Sequence, residues 1–214
     1  MDHQFPCKFS DKGCKEVGAR SSMKDHIRCC IIGKIECPSW TCNEMILRAE
    51  IVNHLKNTHG APAYTKGTKL NWSVDQQGES VTFGVGITFA HGHTFFLNCV
   101  KIKYNTLFWV SILGSEKRAE KFQVKMAAGP HDDLCIRMPG KVYSSDIGKE
   151  DVLKDPRGIL DIGRNMADKM PKWGDGKLRI PMAYDIMRAR CDDDMLNSIN
   201  NELPDDLLLE MGGT

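Results

Sequence analysis

The pattern of apolar and polar positions changes character near residue 60. Between residues 81 and 90, Val81, Phe83, Val85, Ile87 and Phe89 alternate with Thr82, Gly84, Gly86, Thr88 and Ala90. A period of two with one apolar face and one small or hydroxylic face predicts a half-buried strand. Ala90-His91-Gly92-His93 reads as a turn into a strand over 95–102, and Lys103-Tyr104-Asn105-Thr106 as a turn into another over 107–113. Further strands are expected over 121–127, 134–138, 141–145, 158–162 and 177–186, flanking a helical stretch near 164–170. Short turns between strands spaced eight to twelve residues apart predict an antiparallel β-sandwich. Cys99 falls mid-strand and reads as a small buried hydrophobe, while His91 and His93 flank a turn glycine and are expected to face solvent.

Residues 1–60 carry a different signal. Six of the nine cysteines and four of the seven histidines lie there, in the order Cys7, Cys14, His26, Cys30, then Cys37, Cys42, His54, His59. The spacing is C-x6-C-x11-H-x3-C followed by C-x4-C-x11-H-x4-H, two consecutive sets of four ligands. Each set suits a closed tetrahedral zinc site of the structural kind, with no position left for water. The cysteines of each set bracket turn-prone stretches, Ser10-Asp11-Lys12-Gly13 and Pro38-Ser39-Trp40-Thr41, and the later pair falls on a helical pattern. Cys29 offers an H-x2-C alternative to Cys30; the i, i+4 step from His26 to Cys30 puts both on one helix face and favours Cys30. Ile51, Val52 and Leu55 give the second helix its apolar face. So few large apolar residues cannot fold sixty positions by burial, whereas structural zinc in finger peptides contributes roughly 10–16 kcal/mol of apparent free energy per site. Two zinc ions are therefore expected as the core of a small α+β module over 1–60, followed by a linker at 61–68, the β-sandwich at 69–186 and an acidic tail at 187–214.

Charge narrows the partner classes. The 214-residue chain has 29 Lys+Arg and 28 Asp+Glu, a formal charge of +1. That near-neutrality arises from cancellation: residues 61–190 carry +6, and residues 191–214 carry −7. The total gives no broad field for a polyanion. At the base-reading positions of each finger helix stand Ala19, Ser22 and Asp25, then Leu47, Glu50 and Asn53, none of them Arg or Lys. Neither nucleic acid nor membrane is expected as a partner, and no apolar run has signal-peptide or membrane-spanning length. No Cys-His signature of a nucleophile and base stands out, and Gly84-Val85-Gly86 lacks the Lys and following helix of a phosphate loop. Clustered Cys and His in a chain of this kind point to the cytoplasm, with the nucleus as the second option.

Two such metal-ligand sets, a short linker and a β-sandwich resemble the substrate-binding region of the seven-in-absentia (Siah) ubiquitin-protein ligases. The ligand order is similar to that family's, including the H-L-x-x-x-H ending at His54-Leu55 to His59. Gly92-His93-Thr94-Phe95-Phe96-Leu97 resembles the family's G-H-x-F-x-L strand, and the stretch from Leu107 to Phe122 resembles its F-F-A-x-V-x-L-I-G-T-x-x-x-A-x-x-F stretch. The resemblance runs from about Phe5 to Asp185. It implies a mainly β, TRAF-like sandwich that forms homodimers and holds a degron peptide of a substrate protein as an added edge strand. Trp72, Val74, Phe83 and Val85 are the peptide-contacting residues it implies, although the family's D-W pair ahead of the G-H-x-F-x-L strand has no match here. Full-length members carry a RING that recruits the conjugating enzyme. All eight well-spaced ligands are used in the two sets and the remaining cysteines are scattered, so the chain reads as a fragment of a ligase or a member without that module. On this reading it is non-catalytic alone and reaches the ubiquitin-conjugation machinery through a separate RING partner. A signalling adaptor, or a competitor of active ligases, is the alternative.

Overall fold

The structure, a computed structural model, describes residues 3–65, 70–75, 83–129, 135–167, 169–170 and 177–189. Val81, Thr82, His131, Leu134, linker residues 66–68 and the acidic end from residue 190 lie outside that set. Two small units come first. One is built from β1 (Gln4–Pro6), β2 (Val17–Ala19) and α1 (Arg20–Cys29), with β1 and β2 paired antiparallel. The other repeats the plan with β3 (Lys34–Glu36), β4 (Met45–Leu47) and α2 (Ile51–His59). Ile51 and Leu55, one helical step apart, are fully buried on one face of α2. The helix stops at Gly60, whose φ of 61° lets its backbone turn left-handed and donate its N–H to the Leu55 carbonyl.

The described residues beyond the second unit are mainly β and mainly antiparallel. β5 (Ala63–Tyr64), β6 (Leu70–Asp75), β7 (Phe83–Ala90), β8 (His93–Ile102) and β9 (Asn105–Ile112) are followed by the short α3 (Glu116–Ala119). Then come β10 (Phe122–Ala128), β11 (Ile136–Lys141), β12 (Tyr143–Ser144), α4 (Lys149–Leu153), β13 (Leu160–Ile162), α5 (Arg164–Ala167) and β14 (Lys177–Arg188). One sheet has the order β11-β10-β14-β6; the other runs β12-β9-β8-β7-β5, with β13 also paired to β9. Among the described residues, only the short β12–β9 and β5–β7 pairings are parallel. The β7–β8 connection is a two-residue turn in which His91 and Gly92 both take positive φ, 51° and 76°, the geometry that matches strand twist in tight hairpins.

One apolar cluster draws on both sheets, with Phe95, Leu97 and Cys99 of β8, Phe108, Val110 and Ile112 of β9, Val124 and Met126 of β10, and Ile180, Met182, Tyr184 and Ile186 of β14. Tyr184 crosses this core to bond Thr88, hydroxyl to hydroxyl, at 3.0 Å. β8 is buried on both faces, as a central strand must be when something covers the outside of its sheet. Part of that covering is the second small unit, and part is the segment around α4, where Val152 and Ile159 cluster with Val100 of β8. Ile35, Cys37, Cys42, Ile51 and Leu55 form a single cluster with Val85, Ile87 and Phe96 of the sheet.

β7 therefore differs from the expected half-buried strand: both of its faces are occupied from Gly84 to Thr88, and of its apolar set Phe89 is exposed. Gly84, Gly86 and Thr88 turn inward, where the Trp72 and Tyr64 rings fill the space the two glycines leave open. Val85 and Ile87 turn outward against the second unit. His91 is exposed, as expected, with its ring stacked on Phe122 at 5.8 Å between centroids, whereas His93 is half-buried and packs edge-on to the same ring at 5.3 Å. Within the linker, Ala63 and Tyr64 already pair with β7.

Candidate metal centres

Each unit closes on four side chains. In the first, Cys7 follows β1, Cys14 follows a turn ended by Gly13 at φ 99°, His26 projects from α1 and Cys30 lies just beyond it. Cys30 is the residue that caps α1: its φ of −60° is still helical, so its side chain keeps the direction of the i, i+4 step from His26, while its ψ of 126° takes the chain out of the helix beyond it. Cys30 is the member of the cluster, while Cys29 points back to donate to the Asp25 carbonyl at 3.3 Å. In the second unit, Cys37 and Cys42 flank the turn after β3, and His54 and His59 come from α2.

The ligand atoms of each set lie within 4.8 Å of one another. In the first set the Cys7–Cys30 and Cys14–Cys30 sulfurs are 4.0 and 3.6 Å apart, and the Cys14 sulfur is 3.3 Å from His26 Nε2. In the second, Cys37 to His59 is 3.4 Å, Cys42 to His54 is 3.7 Å, and the two His Nε2 atoms are 3.2 Å apart. A tetrahedral ion bonded to sulfur at about 2.3 Å and to nitrogen at about 2.0–2.1 Å has edges of about 3.8 Å for S–S, 3.6 Å for S–N and 3.3 Å for N–N. The donor sets fit such an ion, and both groups can hold a metal ion.

The electrostatics suit bound thiolates. Backbone N–H groups two residues along donate to the sulfurs: Phe9 to Cys7 at 3.5 Å, Glu16 to Cys14 and Ser39 to Cys37. The Glu16 bond is the main reason the Cys14 thiol is held below its usual pKa. Burial works the other way, raising Cys7 and pushing Cys37 up to about 12, so a buried Cys37 ionises only with a cation beside it. His59 is lowered by burial and by the neighbouring His54, which favours the neutral, ligating imidazole. His54 points Nε2 into the cluster and turns Nδ1 toward the Glu44 carboxylate, 3.9 Å away.

The body also grips the second unit. Lys149 Nζ donates to the Ser39 and Cys42 carbonyls at 2.8 and 2.7 Å and lies 3.1 Å from Glu36 Oε1. Arg48, only 7% exposed at the end of β4, pairs with Asp146. Between these contacts the seam leaves a cleft of about 280 Å³, lined among others by Pro38, Asn98, Trp109 and Ser144. Sequence reasoning did not find Arg48, Asp146 or Lys149; the pairs span about a hundred positions, and no local pattern marks them.

The four residues assigned to peptide contact lie on two strands. Trp72 and Val74 are on β6, which ends its sheet, and Phe83 and Val85 are on β7, whose outer edge is paired by β5 only at Ile87 and Thr88 among the described residues. The Trp72 ring packs toward Gly84 and sits edge-on to Phe108, with centroids 6.0 Å apart. Val85 is 8% exposed and packs against the second unit, on the opposite face of β7, so the Trp72 and Val85 side chains do not line one groove. The side chains of Val74 and Phe83 lie outside the described set.

Cys99 is buried as expected, and burial alone raises its thiol far above the ordinary range. Among the described residues, no helix is long and apolar enough to cross a membrane. A scan of the chain against protein-family models finds no match, and no curated protein matches it either.

Proposed function

We propose that the chain is the substrate-recognition part of a ubiquitin-protein ligase of the seven-in-absentia type, with two structural zinc ions and a TRAF-like β-sandwich. The observation that carries this reading is the order of parts. Two closed four-ligand sets lead through a short linker into a body of two sheets, and the second set is seated on one of those sheets. Closed Cys3His and Cys2His2 sets favour zinc, since borderline-soft thiolate and imidazole donors in tetrahedral array match its preferences. With every ligand position taken by protein, such ions hold structure and do no chemistry.

In this reading a degron peptide of a target protein adds as a strand at the β6 or β7 edge. The exposed main-chain groups provide affinity and the side-chain pockets selectivity. Trp72 contributes its half-buried ring, and Val85 contributes backbone alone, because its side chain is spent against the second unit. A homodimer and a separate RING partner complete the proposed assembly, in the cytoplasm.

The test is a screen of extended peptides, taken from proteins captured by the full chain, for binding that N-methylation of alternate backbone amides abolishes. Elemental analysis runs in parallel and is expected to find two zinc ions per chain. Peptide binding indifferent to backbone methylation would defeat the strand-addition mode. Salt-dependent binding of random duplex without peptide binding would defeat the recognition reading as a whole.

A further inference from the structure

We infer that Lys149 is a positioning residue for the second metal site, so that metal binding and docking of the sheet body reinforce each other there and not at the first site. The inference rests on the metal-site reading given above. An ammonium group has three donors. Lys149 directs all three at the second unit: the Ser39 carbonyl at 2.8 Å, the Cys42 carbonyl at 2.7 Å and Glu36 at 3.1 Å. Ser39 and Cys42 bound the turn that sets the separation of the two thiols, and the same Ser39 carbonyl already accepts the Cys42 N–H at 3.2 Å. The side chain is 13% exposed, so its bonds compete little with water. Three residues earlier on the same segment, Asp146 holds the buried Arg48, fixing the far end of the unit.

Among the described residues, the first unit has no such buried attachment. Its cluster of Cys7, Met23 and Cys30 contains no residue of the body. The ion pairs that link it to the body, Lys117 to Asp25 at 2.9 Å and Arg28 to Glu116 at 3.8 Å, are exposed. Exposed pairs of this kind couple weakly. At the second site, any free energy with which docking favours the ligating geometry is returned, by linkage, when metal favours docking. Outer-shell groups of this sort typically change metal affinity by about 10–100-fold when removed.

The test uses the full chain and the variants Lys149→Met, Lys149→Arg and, as a control at the first unit, Lys117→Met. Cobalt(II) serves as the probe, because a three-thiolate site has stronger charge-transfer absorption than a two-thiolate site, and chelator competition then ranks the two sites separately. Lys149→Met is expected to weaken the two-thiolate site by about 10–100-fold and leave the three-thiolate site as it was. Lys149→Arg should recover part of the loss, and Lys117→Met should change neither site. Equal affinities in Lys149→Met and the unaltered chain, or equal losses at both sites, would overturn the inference. If the unaltered chain takes up no cobalt, the metal reading itself fails. Hydrogen exchange then tests the positioning role directly: the Cys37 and Cys42 amides, bonded to Glu44 and Ser39, should exchange faster in Lys149→Met, and unchanged protection would refute it.

Discussion

Replacing Gly84 with alanine turns the two-sided burial of β7 into a measurement of sign. In an ordinary strand, Gly→Ala reduces the entropy lost on folding and stabilises by about 0.5–1 kcal/mol. The alternating pattern by itself puts Gly84 on a small, outward face, where that gain would be collected in full. In the structure an added Cβ falls inside the Trp72 ring, 2.6 Å from Cε3, closer than real Cβ atoms approach anything. The ring has little freedom to retreat, because it is packed edge-on against the fully buried Phe108. Overpacking costs about 1–3 kcal/mol, and a Cβ this deep in a ring belongs to the upper part of that range, about 2–3 kcal/mol, which leaves a net loss of about 1–2 kcal/mol after the backbone gain. For a chain of this size that is a fall of roughly 2–8 °C in the melting temperature of the sheet transition. Circular dichroism follows that transition, with metal content checked before and after. The paired variant Gly84→Ala with Trp72→Leu should lose less than the sum of the two single changes, since the smaller side chain makes room for the new methyl group. A Gly84→Ala chain that melts at or above the unaltered one would refute the inward orientation of this face.

Two further outcomes follow from the site and the core. Cys29→Ser is expected to keep two metal ions per chain and Cys30→Ser to lose one, as counted by native mass spectrometry; the reverse would reassign the ligand. The Tyr143 phenol is pushed up to about 12 by burial and donates to the Asp155 carbonyl; the Gly158 N–H that it accepts pulls the other way, and burial prevails, so folding favours its neutral form. Its contribution is complete below the unfolded value near pH 10 and is lost as pH rises through about 12. Denaturation midpoints should therefore fall over that window, and Tyr143→Phe should be less stable at neutral pH with a shallower alkaline slope. An unchanged slope would show that the phenol is not buried as described; some slope remains in any case, because Tyr64 and Tyr184 are raised by burial as well.

How much was legible depended on how local the physics was. The eight ligands could be read from spacing because a tetrahedral ion accepts few donor arrangements, and the structure gathers Cys7 to His59 as two sets in that order. The choice of Cys30 over Cys29 was legible for the same reason, since the i, i+4 step from His26 survives at the residue that caps α1. The strands at 95–102, 107–113 and 121–127 were found within two residues of their observed bounds because alternation and turn residues agreed there. In β7 the alternation was real, but it could not say which face met the core. The answer lay in Trp72, Tyr64 and the second unit, distant in the chain. α3 and α4 went unread because helices of four and five residues carry too little periodicity. The grip of Lys149 has no sequence signature at all.

The shared cluster of Ile35, Ile51 and Leu55 with Val85, Ile87 and Phe96 sets a rule for anyone cutting this chain into pieces. A boundary at residue 60 looks natural on composition, yet it would strip the outer face of one sheet and the apolar face of α2 at a single stroke. A fragment made of the sheets alone would present a wet stripe of Val85, Ile87 and Phe96, a ready seed for self-association. The cut that leaves both products dry runs near residue 32 instead, between a first unit whose small core is its own and everything that follows.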